Sequence, residues 1–137
     1  MNAQELKSNP VLWKWNVQDL NSNPEVHLPT EEGLNLDAAT CVVSIDYLTK
    51  PVEVLNSIRR QTKQGGKVHL VISNRCFPTK VVGRWLKMRE GERLEMVGDY
   101  LWWSGWEDVE IVEVVKGGWM TDPLWVVRAT NSGGAGQ

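Results

Sequence analysis

Residues 38–45, AATCVVSI, form an almost wholly apolar run no longer than a single strand. Such a run fits a strand buried on both faces, as in a parallel sheet, whereas a strand with one wet face alternates apolar and polar residues. Parallel strands need a crossover between them, and the following residues supply one. Thr49-Lys50-Pro51 opens a helix, with Pro51 in the first turn, where its missing N–H costs nothing. Val52, Leu55, Ile58 and Thr62 follow at helical spacing, and Gln64-Gly65-Gly66 is expected to end the helix. Lys67 to Ser73, KVHLVIS, reads as the next strand.

The same reading extends outward from this β–α–β unit. Residues 3–9 suit a short helix that stops before Pro10, and residues 12–18, LWKWNVQ, alternate as a strand does. Asn21 to Gly33 is rich in Asn, Ser, Pro and Gly and reads as loop. Helices are expected over 78–88, with Val81, Trp85 and Met88 on one face, and over 92–103, with Leu94, Val97 and Leu101 in line. Val109 to Val115 and Leu124 to Ala129 read as strands. The connection between them is too short for a helical crossover and long enough for an antiparallel hairpin. The expected architecture is α/β in one domain over residues 1–130, with a flexible tail over 131–137.

Composition limits the function classes. The formal net charge of −2 gives no general attraction to nucleic-acid phosphates or anionic lipid. No apolar run reaches the ~20 residues that span a bilayer, and MNAQELKSNP lacks the apolar stretch of a secretory signal, so a cytoplasmic or nuclear location is expected. Cys41 and Cys76 have no CxxC spacing, and His27 and His69 make a poor metal pair, so no metal site is expected. Eight tryptophans are many for 137 residues. Core packing is their expected role, with an aromatic wall for an apolar substrate or partner as the alternative.

Four runs in order carry a resemblance. LDAATCVVSIDYLTKP is similar to the methyltransferase segment that begins "FD-x-V" and ends a buried strand at the cofactor. SIRRQTKQGGKVHLVIS is similar to the "R-x-L-K-P-G-G" turn and the strand after it, with Gln64 where that pattern has Pro. SNRCFPTK and DPLWVV follow at matching spacing. Together the runs resemble a class I S-adenosylmethionine-dependent methyltransferase domain of the type 11-like branch.

The resemblance implies a Rossmann-like sheet of order 3-2-1-4-5-7-6 with strand 7 antiparallel. Residues 12–18 would be strand 3, residues 38–45 strand 4, residues 67–73 strand 5, and the last pair strands 6 and 7. MNAQEL looks like the stretch that follows strand 2 in that family. The expectation is therefore a partial sheet, strands 3 to 7 present and strands 1 and 2 missing, and an N-terminally truncated, poorly stable chain. No GxGxG turn occurs, and a nicotinamide-dependent enzyme is rejected because neither its GxGxxG turn nor the ribose-binding acid after strand 2 is present. Strand 4 would be left with an open edge around Cys41, Val42 and Val43, a place for self-association.

Site residues follow from the same resemblance. Asp19 and Leu20 match the acidic–apolar pair that faces the adenine of S-adenosyl-L-methionine, and Asn2 would approach the ribose. A plain turn is the alternative for Asp19. Ser44, Asp46 and Tyr47 fall at the carboxyl end of a strand, where open α/β sheets bind ligands, and would face the methionine part. A cap for Asp46 and packing for Tyr47 are the alternatives. Asn74 and Arg75 would contact the methyl acceptor, or clamp a loop. Methyl transfer rests mainly on positioning, so no catalytic base is nominated. The functional expectation is a methyltransferase-like protein, truncated and without activity of its own in one version. The alternative is a non-catalytic interaction module or pseudoenzyme with a Trp-rich surface.

Overall fold

The computed structural model describes residues 16–28, 35–73, 90–117 and 122–133. The expected helices over 3–9 and 78–88, most of the strand over 12–18, and Asn2, Asn74, Arg75, Trp13, Trp15, Trp85 and Trp119 lie outside these residues. Four strands and two α-helices are described. They are β1 (Leu36–Val42), a 3-10 turn (Ile45–Tyr47), α1 (Pro51–Arg60), β2 (Thr62–Ser73), α2 (Glu90–Trp103), β3 (Glu107–Val115) and β4 (Leu124–Thr130).

The strands form one mixed sheet of order β1-β2-β4-β3. β1 and β2 are parallel, as the helical crossover between them demands. β4 inserts antiparallel between β2 and β3. The last two strands are therefore a hairpin, as expected, and its second strand supplies the pairing to the rest of the sheet.

Register explains the core. Ala39 and Cys41 of β1 stand opposite Val68 and Leu70 of β2, which stand opposite Ala129 and Val127 of β4. This face meets the helices through Leu55 of α1 and Leu94, Val97, Tyr100 and Leu101 of α2, all buried. Leu94, Val97 and Leu101 are the line that the helical spacing marks. The opposite face carries Val42, Val71, Val126 and Val112 in register, and none of the four is fully buried. Val42 is 63% exposed. The run AATCVVSI is thus not buried on both faces among the described residues, and the expected apolar exposure near Cys41 falls on Val42. β1 pairs on one side only among the described residues.

Three further sequence expectations need correction. Asn16, Val17 and Gln18 are irregular rather than strand. α1 ends at Arg60, not at Gln64-Gly65-Gly66. Gln61 and Thr62 terminate it, because the Gln61 N–H and the Thr62 hydroxyl both donate back to the Ile58 carbonyl, at 3.1 and 2.7 Å. The glycine pair instead lies in an irregular stretch of β2 beside Asp37. A Cβ on Gly66 would sit 2.9 Å from the backbone oxygens of Asp37 and Lys63, so only glycine lets the chain pass there. Asn131 does not behave as tail. It is buried, and its amide donates to the carbonyls of Arg59 and Thr62 at 3.2 and 2.8 Å, satisfying groups left open at the end of α1.

Candidate functional site at the carboxyl end of β1

β1 ends in a turn whose geometry places a carboxylate under the surface. The Val43 N–H donates to the Val71 carbonyl, extending the β1–β2 pairing by one bond. Val43 then adopts φ +50°, a left-handed conformation that crowds a β-branched side chain. Strain of this kind persists only where the surroundings enforce it, and it concentrates at functional sites. The following 3-10 turn is closed by bonds from Tyr47 N–H to Ser44 O and Leu48 N–H to Ile45 O. Ile45 anchors the turn in the core, and Asp46 is carried inward with it.

Asp46 is 5% exposed. Its Oδ2 is buried and has no hydrogen-bond partner among the described residues. Burial pushes its pKa up from 3.8, while its own backbone N–H and the charge of Arg93 on α2 pull partly the other way. Buried polar atoms are nearly always paired, so a carboxylate oxygen without a partner among the described residues, at a strand's carboxyl end, makes this the candidate site.

Around Asp46 the chemistry is narrow. The Cys41 thiol lies 3.2 Å from the Ser44 hydroxyl. Burial raises the thiol pKa, with the charge of Asp46 adding to it and Ser44 offsetting part. This environment disfavours the thiolate of Cys41, which packs against the core. No group of His, Cys, Asp and Glu among the described residues could hold a metal ion.

The loop over residues 16–28 is tied to this turn. The Asn21 side chain donates to the Tyr47 carbonyl at 3.0 Å and accepts from the Thr49 N–H at 2.9 Å. The Val26 N–H donates to the Ser57 hydroxyl, and Arg60 pairs with Glu25 at 2.7 Å. Asn21, which follows Asp19 and Leu20 directly, thus ties their loop to the turn that carries Tyr47, although 26 residues separate Asn21 from Tyr47 in the chain. Asp19 itself is exposed, and both its oxygens serve its own turn, accepting from the Ser22 hydroxyl and the Asn21 N–H. These contacts, the hydroxyl first, lower its pKa. The turn alternative for Asp19 is built in the structure.

Two residues escape sequence reasoning. Asn21 looks like one more polar loop residue, yet it joins the loop to the turn. Arg93 is the lone basic residue in EGERLEMVGDYLWW, and that isolation was the available signal. Of the tryptophans described, Trp106 is 1% exposed and donates its indole N–H to Leu55 O at 3.0 Å. Trp125 is partly buried against the core. Trp102 and Trp103 are 68% and 69% exposed. The packing role thus holds for two of these four. No helix among the described residues is long and apolar enough to cross a membrane.

No family model matches the sequence, and no curated protein matches it. Several solved structures do. One is an S-adenosylmethionine-dependent methyltransferase from Thermotoga maritima, described as a possible histamine N-methyltransferase. It is 20% identical, with a TM-score of 0.44 over 69% of this chain and 55% of that one. Another is the 16S rRNA (adenine(1408)-N(1))-methyltransferase from Catenulisporales acidiphilia, 17% identical with a TM-score of 0.46 over 74% of this chain and 57% of that one. A mutant of that enzyme matches at 19% identity and a TM-score of 0.44, over 69% of this chain and 49% of the mutant chain. This chain spans about half the length of each of these proteins.

Proposed function

We propose that this chain is an S-adenosylmethionine-dependent methyltransferase-like protein whose cofactor site lies at the carboxyl end of β1. The observation that carries the reading is the orphan oxygen of Asp46, held under the surface beside a strained Val43. S-adenosylmethionine, when bound, supplies a methyl group on a cationic sulfonium and carries an ammonium on its amino-acid part. A buried carboxylate without a partner suits such a cation, which would supply the missing charge and hydrogen bond. The order β1-β2-β4-β3 with β4 antiparallel supports the same reading, since it equals 4-5-7-6 of the order that the sequence resemblance implies.

In this reading Asp46 holds the positive part of the cofactor, and Ser44 and Tyr47 shape the wall around it. Asp19 and Leu20 offer a carboxylate and an apolar surface to the adenine. Asn2 would serve the ribose, and Asn74 and Arg75 the methyl acceptor. Isothermal titration of the full chain with S-adenosylmethionine tests the reading. Saturable binding is expected, weakened about tenfold in Asp46→Asn by loss of a charged partner. Absence of binding by a chain that melts cooperatively would reject it.

A second reading, a non-catalytic interaction module, is favoured by one observation. Trp102 and Trp103 stand side by side on the surface at the end of α2.

A further inference from the structure

The apolar surface of the core does not stop where the helices stop. On the helix-bearing face of the sheet, Ile111 of β3 stands opposite Val127 and continues the row of Leu70, and Val109 packs against the same core. α2 covers this row only in part, and Ile111 stays exposed. Between α2 and β3 lies a shallow groove of about 390 Å³, lined by Glu95, Gly98, Asp99, Trp102, Val109 and Ile111. Gly98 forms a notch in its helical wall. A Cβ there would meet nothing closer than Val109 Cγ1 at 3.7 Å, an ordinary contact. Packing therefore does not require a glycine at this helical position, where glycine is unfavourable, and its effect is to keep the groove open.

Charge identifies what fits. Residues 90–115 contain eight acidic residues and a single basic one, Arg93, in a chain with 17 acidic and 15 basic residues. The other residues together are therefore net positive, and the acidity is concentrated on α2 and β3. Glu95 and Asp99 stand on the groove beside the Trp102 ring, at helical spacing along one face. A phosphate backbone or an anionic membrane would be repelled here. A guanidinium suits the site, because it can stack on an indole face while its N–H groups reach carboxylates.

We propose that the groove between α2 and β3 docks an arginine-bearing, partly aliphatic segment of a partner protein. The guanidinium lies on Trp102 and pairs with Asp99 and Glu95, and the aliphatic neighbour covers Val109 and Ile111. This surface is separate from the proposed cofactor site, and its occupancy is read without cofactor.

The test is a titration of the full chain, labelled with nitrogen-15, with the capped peptide ARLRLRA, following the indole resonance of Trp102 assigned through Trp102→Phe. A saturable shift at Trp102 is expected, with affinity about tenfold lower in the double variant Glu95→Gln, Asp99→Asn as paired charges are lost. The capped peptide AELELEA is expected to leave the resonance in place. Gly98→Leu, which fills the notch without touching either acid, is expected to abolish the shift while the remaining spectrum stays dispersed. Equal binding of AELELEA, undiminished affinity in the double variant, or no shift from ARLRLRA would overturn the proposal. So would a Trp102 resonance that moves with protein concentration alone, since the occupant would then be a second copy.

Discussion

The two ends of the β1–α1–β2 unit solve opposite problems. At the amino end of the parallel strands every buried polar side chain among the described residues has partners. Arg59 is buried and donates from Nε to the Ser104 carbonyl at 2.8 Å, and Asn56 donates to the same oxygen. The Ser104 hydroxyl donates to Tyr100 O, and Asn131 satisfies the carbonyls at the end of α1. Gly105, at φ +96°, leaves room for the guanidinium of Arg59, which lies 2.6 Å from where a Cβ would stand. At the carboxyl end Asp46 keeps a buried oxygen without a partner among the described residues, and Val43 sits in a strained conformation. One end satisfies its buried side chains, with its non-glycine positive φ at Asp108, and the other holds a β-branched residue in the left-handed region beside a buried polar atom that the described residues leave without a partner. Groups of this kind lower stability, so their presence makes this end the candidate site.

Substitutions break the contrast in order of size. Trp106→Ala removes a fully buried ring and its bond to Leu55 O, and a loss of about 3–5 kcal/mol is expected in denaturant unfolding. A loss under 1 kcal/mol would remove Trp106 from the closing end. Asn131→Ala leaves the α1 carbonyls without their donor and is expected to cost about 1–3 kcal/mol. Asp46→Asn runs the other way. It removes a buried charge and is expected to stabilise the chain by about 1 kcal/mol at neutral pH while weakening cofactor binding. The sign follows from linkage. A carboxyl whose folded pKa lies above 3.8 binds its proton more tightly folded than unfolded. The wild-type chain therefore loses stability as pH rises from 3.8 through the raised value, and Asp46→Asn lacks that loss. Melting curves of both proteins from pH 3.5 to 7 would show it, and parallel profiles would remove the contrast.

Much of the closing end was legible in the sequence, and most of the open end was not. The helical spacing of Leu94, Val97 and Leu101 marks the buried line of α2, and apolar runs mark the four strands among the described residues, because local periodicity reports burial, although the alternation at 12–18 misleads where Asn16 to Gln18 are irregular. The glycine pair misled, since glycine at 65–66 reads as a helix stop although β2 uses Gly66 for a close pass along Asp37. Asn131 reads as tail because its partners lie 69 and 72 residues away. Asp46, Ser44 and Tyr47 were nominated from their place after a strand, but the orphan state of the Asp46 oxygen depends on which groups surround it. Arg93, on another element, is one of them. Exposure of Val42 depends on what covers the second face, which a run of apolar letters does not encode.

The most direct measurement is a carbon-13 titration of the Asp46 carboxyl in the full chain, with and without saturating S-adenosylmethionine. A midpoint above 3.8 is expected in the free chain, falling when the cationic ligand supplies the missing partner. A carboxyl that titrates at its ordinary value, or one whose midpoint stays in place while S-adenosylmethionine binds, would contradict it.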